Sequence, residues 1–462
     1  MNHQPPGKSR RLSQYLRMDF GAARRITPRV LLPLLDRAQR STEGRRLARG
    51  VFWSAAGAVS SRAVALLASF VVARVLGRTV FGELGIIQST LNMFATFAEL
   101  GLGLTATRFV AEFRRKEPAR AGRIVAMASL AAVASGTAIA ILMVVTSAWA
   151  AHVLAAPHLR VAIAVSALAL LLMVINDAQH GTLSGLEAFK RLSAVQIAAA
   201  IASFPITVLG ALYFGLMGAV YGLIASQAVV ALWNYRAVRF ELASAGVPVR
   251  WKEARREAHV LLSFSLPTLC AGAVYVPSMW IANMLMVNTP SGYDQMGIFS
   301  AADRWRTAIL FLPALLGGVA LPMLSSLRGE GASRKYHAVL TTNLGLSVLA
   351  AIAVAIPVAL LAPWIMAGYG PGFAEGRWVL VTLCATSVAS AGYRIVLQSL
   401  LSRGHVWTMF SLNLGWATVL LSTEWFLRGR GAAGLALAYL SADATRLVAA
   451  LFYAYRSQQR ES

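Results

Sequence analysis

Apolar runs of roughly 20 residues, each bounded by charge or by Gly/Pro clusters, recur along nearly the whole chain, and about 20 residues of helix cross the ~30 Å hydrocarbon core of a bilayer. They fall at 51–76, 82–106, 124–147, 159–182, 194–214, 216–235, 260–287, 297–324, 338–362, 378–400, 407–427 and 432–455. Backbone in lipid must satisfy its own hydrogen bonds, so runs of this length read as helices; the alternating ten-residue segments of a β-barrel are absent. Composition agrees, with 57% hydrophobic and 13% charged residues, against about 25% charged in soluble domains. The expected fold is an all-α polytopic membrane protein of about 12 transmembrane helices.

The basic residues set the orientation. With the N-terminus in the cytoplasm, one side collects the basic stretch from Lys8 to Arg49, then Arg108, Arg114, Arg115, Lys116, Arg120, Arg123, Lys190 and Arg191. The same side takes Arg236, Arg239, Arg250, Lys252, Arg255, Arg256, Arg328, Arg334, Lys335 and Arg403. The opposite loops hold Arg78, Arg160, Arg377, Arg428 and Arg430, a bias of about six to one. Both termini are therefore expected in the cytoplasm of a cell whose inner membrane holds the chain. The formal charge of +24 follows largely from this asymmetry; in a soluble chain it would point to nucleic acid, but here no nucleic-acid partner is expected.

The segment 1–50 reads as a basic cytoplasmic extension without the apolar core of a secretory signal. Its stretch 29–40 mixes apolar and cationic residues as an interfacial helix does, but Pro28 and Pro33 favour a charge-rich tail. The longest inward connection, 236–258, divides the remainder into an N-lobe, 51–235, and a C-lobe, 259–455, followed by a short cytoplasmic tail, 456–462. The halves echo one another: Phe81-Gly82-Glu83-Leu84-Gly85-Ile86 opens the second span and Tyr293-Asp294-Gln295-Met296-Gly297-Ile298 the eighth. Leu183-Ser184-Gly185-Leu186 and Leu400-Leu401-Ser402-Arg403-Gly404 form a weaker echo. Six spans per half make the halves parallel repeats, two six-helix lobes around a central cavity.

Chemistry is limited by what the loops lack. The longest outward loop is about 363–377, and no Walker loop, GxSxG elbow or DxD-type motif stands out, so a transporter and not an enzyme is expected. The seven histidines are scattered without HExxH or CxxC spacing, and no metal site is expected. Cys270 and Cys384 fall inside spans and read as buried small hydrophobes.

The stretch from Ser60 to Lys116, VVARVLGRTVFGELGIIQS running into FAELGLGLTATRFVAEFRRK, resembles the N-terminal signature of bacterial polysaccharide flippases, the Wzx-type branch of the MOP exporter superfamily. Leu183 to Phe189, Tyr293 to Arg304, Leu312-Pro313-Ala314-Leu315, Leu321 to Ser325 and Tyr369 to Phe373 resemble later segments of that family in the same order. The first fifty residues match nothing in the pattern. The resemblance implies a flippase that carries an undecaprenyl-diphosphate-linked oligosaccharide to the periplasmic leaflet by alternating access, for O-antigen or exopolysaccharide assembly. It also implies a polymerase and a chain-length regulator as partners, besides the membrane lipid itself.

Such a cargo is anionic, so its path needs fixed cations in a hydrated cavity. Arg62, Arg304, Arg306, Arg394 and Arg446 lie inside spans, and a lipid-facing arginine costs at least about 2.5 to 3.5 kcal/mol at a helix centre. They are expected to face the interior as substrate-binding residues. Asp303 and Asp443 stand three residues before Arg306 and Arg446, at ion-pair spacing, whereas Arg62 and Arg304 lack such a neighbour and lead the phosphate assignment. Glu99, Asp177, Asp303 and Asp443 are candidates for a coupling H+ or Na+, with Glu99 and Asp177 first; no other cofactor is expected. Gln88, Asn92, Asn176, Gln179, Asn283 and Gln398 are candidates for a sugar path or for helix–helix hydrogen bonds. Pro205, Pro267, Pro277, Pro313, Pro322 and Pro357 can kink their helices.

Three other readings share parts of this pattern. A MATE-like cation-coupled multidrug exporter would need an anionic or aromatic pocket, which the surplus of intramembrane arginine disfavours. A lipid II flippase often carries two further C-terminal helices. A non-transporting scaffold of a glycan synthase complex would be indifferent to loss of the cavity charges.

Overall fold

The computed structural model describes residues 42–314, 333–402 and 406–461. Two compact units, Met1–Trp53 and Ser54–Ser462, divide the chain. In the first the described residues are helical; the second holds every remaining element. The helices are α1 (Thr42–Glu99), α2 (Leu102–Phe113), α3 (Pro118–Val153), α4 (Arg160–Gly185), α5 (Phe189–Ser244) and α6 (Ala258–Val287). They are followed by α7 (Gly292–Ile309), α8 (Ser333–Leu360), α9 (Ala362–Gly368), α10 (Arg377–Ser402), α11 (Val406–Leu427) and α12 (Ala432–Glu461). No strand occurs among the described residues, and seven helices are long and apolar enough to cross a membrane. This is an all-α polytopic membrane fold.

Two of the seven, α1 and α5, are not single rods. Each reverses at one glycine in a conformation that L side chains rarely adopt, Gly77 (φ 76°) and Gly215 (φ 57°). The arms of α5 then pack directly on each other, since a Cβ on Gly222 would lie 2.8 Å from the Cα of Thr207. These reversals fall where the hydrophobic pattern separates the first span from the second and the fifth from the sixth. By contrast Pro205 and Pro357 sit inside helices without ending them.

Four expectations are corrected. α1 starts at Thr42, ahead of residue 51; the stretch 29–40 lies outside the described residues. The second span is not one helix over 82–106: α1 stops at Glu99, Leu100 (φ 48°) and Gly101 (φ 65°) are both left-handed, and α2 restarts at Leu102. The eighth span opens earlier, at Gly292, and α7 ends at Ile309; 315–324, with Pro322, lie outside the described residues. The outward loop 363–377 is built mostly from α9 and a 3₁₀ turn, Ala374–Gly376.

The outer surface fits a bilayer. Leu67, Val133, Leu168, Ile201 and Leu349 are exposed along the mid-portions of their spans, where lipid and not water is the solvent. Exposed aromatics cluster at the two levels where the runs end. Trp149, Tyr213, Phe214, Trp364, Trp378 and Trp425 mark one end; Tyr235, Phe240, Trp251, Trp407 and Phe452 mark the end bearing the basic connections.

Inside, α3 packs on α4, α4 on α5 and α2 on α4, while α10 and α11 pack on α12, α8 on α10 and α11 on α6. The two echoing segments meet face to face. A Cβ on Gly82 would lie 1.9 Å from the carbonyl oxygen of Tyr293, and one on Gly297 2.2 Å from that of Arg78. Helices in lipid gain little from apolar burial against one another, so close backbone approach at small residues supplies much of the packing energy here. The repeat visible in the sequence is thus also the crossing of α1 and α7.

Candidate functional site

Polar contacts across this crossing seal the end of the molecule opposite the basic connections. Arg78 Nη2 pairs with Asp294 Oδ2 at 3.1 Å, and its Nη1 donates to the Gly372 carbonyl at 3.1 Å and to Glu375 Oε2 at 3.3 Å. The Thr79 hydroxyl also donates to Asp294, and Arg74 Nε donates to the Gly368 carbonyl at 2.7 Å. Arg74 is thereby tied to the end of α9. Tyr369 is buried, stacks on Phe70 at 4.0 Å between ring centroids and hydrogen-bonds Ser69 at 3.1 Å. Its burial raises its phenol above the ordinary range, which keeps it a neutral hydrogen-bonding group.

On the basic side of this seal lies a cavity of about 470 Å³ between α1, α6 and α7. Arg62 and Arg304 both line it, beside the amides Gln88, Asn92 and Asn283 and the hydroxyls of Ser89 and Thr307. Arg304 Nη2 donates to Gln88 Oε1 at 2.9 Å, while its Nε is buried with no acceptor among the described residues. The Arg62 guanidinium stacks over Phe311 at 4.1 Å, and its Nη1 is likewise buried without an acceptor. A buried donor without a partner costs about 1–3 kcal/mol, more when charged. Two such donors beside one cavity form a place where an anion would be stabilised. Arg394 is exposed and within electrostatic reach of Arg62, adding a third cation on that side.

Arg306 and Arg446 are placed differently. Arg306 pairs with Asp303 at 2.5 Å and lies over the Tyr439 ring at 5.5 Å. Arg446 (6% exposed) pairs at 2.6 Å with Asp443 (1% exposed) and is surrounded by the rings of Tyr393, Trp416 and Tyr275 at 4.0, 5.0 and 5.5 Å. Asp443 also accepts from Trp416 Nε1 at 2.7 Å and from the Ser390 hydroxyl. Asp303 lines the central cavity; Asp443 belongs to this network between α10, α11 and α12.

The break at Leu100–Gly101 organises the other two acids. The new N-terminus of α2 presents the Gly103 N–H to Asp177 Oδ2 at 2.9 Å, as a carboxylate caps a helix start. Ser135 donates at 2.7 Å to the carbonyl of Ala98 on the other side of the break. Glu99, at the break, is within electrostatic reach of Asp177. Asp177 also edges a second cavity of about 670 Å³, enclosed by the first arm of α1, α4 and both arms of α5.

Several residues of interest carried no signal in the sequence reading. Glu424 is fully buried, and neither carboxylate oxygen has a hydrogen-bond partner among the described residues. It lies near the end of an apolar run, where a charge normally reaches the interface; only its spacing from Trp416 and Leu420 places it on the buried stripe of α11. Arg78 counted merely as an outer-loop charge, though it joins α1 to α7 and to the α9 region. Gln227 and Asn234, which line one cavity with Asn176, carry no local pattern that marks them. Cys384 is a buried free thiol, as expected, and the side chain of Cys270 lies outside those described.

A family model described as polysaccharide biosynthesis protein matches residues 47–328. The EPS I polysaccharide export inner membrane protein EpsE of Ralstonia nicotianae is 26% identical over 317 residues, covering 61% of this chain and 71% of that protein. EpsE of Ralstonia solanacearum is 29% identical over 202 residues, covering 42% of this chain and 44% of that protein, less than half its length. The solved inward-facing conformation of a multidrug resistance MATE family transporter of the MOP superfamily shares the fold, with a TM-score of 0.75 at 14% identity, covering 86% of this chain and 94% of that one.

Proposed function

The chain belongs to the polysaccharide biosynthesis protein family, whose model spans residues 47–328, and from that premise we propose that it is a flippase. Its cargo is an undecaprenyl-diphosphate-linked oligosaccharide, moved from the cytoplasmic to the periplasmic leaflet of the inner membrane for O-antigen or exopolysaccharide assembly. The observation that carries this reading is the pair Arg62 and Arg304, each with a buried N–H lacking an acceptor beside one cavity. A diphosphate supplies the missing acceptors, and the two cations offset its desolvation.

With the basic connections in the cytoplasm, the cavity lies on the cytoplasmic side of the seal at Arg78, Asp294 and Tyr369. That arrangement suits a state that admits cargo from the inner leaflet. Residues 51–235 and 259–455 act as two six-helix lobes that rock about the connection 236–258, and both termini stay cytoplasmic. Opening toward the periplasm separates the α1–α7 crossing, where partly exposed ion pairs of modest strength are cheaper to break than buried ones. A coupling H+ or Na+ would act at Glu99 and Asp177, where it relieves repulsion between two carboxylates. The polymerase and chain-length regulator would receive the cargo on the far leaflet.

The test is complementation of a strain of the native host lacking this protein, comparing the intact chain with Arg62→Ala and Arg304→Ala at matched membrane levels. Surface glycan should return with the intact chain and fall at least about tenfold with either variant, as expected when about 1.4 kcal/mol or more of cargo stabilisation is lost. Full restoration by both variants would remove the arginines from the mechanism.

A further inference from the structure

The second cavity differs in chemistry from the first. The central cavity presents guanidinium donors; the N-half chamber, about 670 Å³, is lined by Asn176, Gln196, Ser203, Ser226, Gln227 and Asn234. Asn176 gives its amide hydrogens to the side-chain and main-chain oxygens of Gln227 at 2.9 and 3.1 Å, which leaves its own Oδ1 buried without a donor. Asn234 Oδ1 is likewise buried without a donor among the described residues. These two side chains are 9% and 4% exposed. Ser226 gives its hydrogen to the Gly222 carbonyl at 2.7 Å and so turns oxygen lone pairs to its surroundings. The chamber therefore presents mostly neutral amides and hydroxyls, with two amide oxygens unmet among the described residues and Arg62, Asp177 and His180 also in its lining.

Arg62 lines both cavities. A ligand whose phosphate sits at Arg62 would place the group next to that phosphate at the mouth of the chamber. Resting on the flippase reading above, we propose that this chamber is a saccharide subsite, in which the sugar nearest the diphosphate gives its hydroxyl hydrogens to Asn176 and Asn234. A pyranose ring carries several hydroxyl donors, while its diphosphate carries only acceptors, so unmet guanidinium donors at the central cavity and unmet amide oxygens at the chamber, joined at Arg62, match the two parts of the cargo. The volume lies within the ~300–1,000 Å³ typical of small-molecule sites, whereas a bare cation needs a tight cage with oxygens at about 2.3–2.6 Å. Moreover, one oxygen of Asp177, the nearest acid, already caps α2.

A benzophenone photocrosslinking side chain placed at Ala200 in the chamber, at Ala308 in the central cavity, or at lipid-facing Leu67 tests this in the native host, with the full chain and its own accumulated cargo. Adducts are read by mass spectrometry. Ala200 and Ala308 should both capture a saccharide-bearing diphosphate lipid and Leu67 only phospholipid. Asn176→Leu with Asn234→Leu should cut capture at Ala200 at least about tenfold and leave capture at Ala308 within about twofold; because Asn176→Leu also removes two hydrogen bonds to Gln227, retained capture at Ala308 is the check that the fold survives. Capture at Ala308 without saccharide at Ala200, or at Ala200 undiminished by the double substitution, overturns the chamber alone. Absence of any diphosphate lipid at both positions overturns the flippase reading and the subsite with it.

Discussion

Arg62 and Arg446 both lie in apolar helices within the reach of aromatic rings, and each has one buried N–H without an acceptor among the described residues, yet Arg62 lines a cavity with no carboxylate paired to it while Arg446 is paired with Asp443 and surrounded by three rings. The difference separates two uses of charge in a membrane. In the C-half, Asp443 and Arg446 neutralise one another between α10, α11 and α12, and Ser390 and Trp416 donate to the same carboxylate, which ties those helices together. At Arg62 no carboxylate among the described residues forms an ion pair, so an anionic ligand can supply the counter-ion. Removing a charge should therefore have opposite consequences in the two places.

The largest effect is expected at the buried pair. Arg446→Leu strands the Asp443 carboxylate in a protein interior and should destabilise the chain by about 3–5 kcal/mol, seen as a fall in unfolding temperature in detergent or nanodiscs. Combining it with Asp443→Leu should recover most of that loss, since a well-packed apolar pair often replaces a buried ion pair at little cost. Equal losses in the single and double variants would mean that the rings and not the ion pair hold the three helices.

Arg62→Leu should behave in the reverse way. Removal of an unmet cation should leave the unfolding temperature unchanged or raise it, while transport falls at least about tenfold. A fall in stability comparable to that of Arg446→Leu would break the comparison and place Arg62 among the structural residues. The smallest effect belongs to the seal, where Arg78 and Asp294 are each 26% exposed. A double-mutant cycle of Arg78→Ala and Asp294→Ala should give a coupling of about 0.2–1 kcal/mol. Spin-label distances between α1 and α7 should then show a larger share of molecules open at that end; an unaltered distribution would mean that the Gly82–Gly297 crossing suffices.

Much of the fold was legible because lipid imposes a simple rule: long apolar runs become helices, and their ends collect aromatic and basic residues. Gly77 and Gly215 fall between runs, so the two hairpin reversals coincide with the expected boundaries. The break at Leu100–Gly101 was hidden, because FAELGLGL is apolar throughout apart from one acid. What supports that break is Asp177 and Ser135, which satisfy backbone groups on its two sides. Hydrogen bonds made by residues so distant in sequence leave no trace in the local pattern.

The candidate site was legible to a similar degree. Arg304 and Arg306 are two residues apart, about 200° around a helix, so the sequence requires that they face different ways. It cannot say which faces the cavity, because that depends on how α7 is rotated against α1. Spacing likewise identified the pairs Asp303–Arg306 and Asp443–Arg446, since three-residue separation brings side chains together in any helix. Gln227 bonds Asn176, and Asn234 joins the same cavity, only after α5 has doubled back.

Sequence alone therefore determined the solvent of this chain, the positions of most helices, the end that bears the positive charge and the spacing of the intramembrane ion pairs. These follow from hydropathy, helical period and covalent order, which act locally. Tertiary structure decided which charges find a carboxylate partner and which do not, where the two echoing segments cross, and that Arg62 lines two cavities at once. Those properties depend on the rotation and depth of each helix against its neighbours, set by close packing at a few small residues rather than by the composition of any one segment.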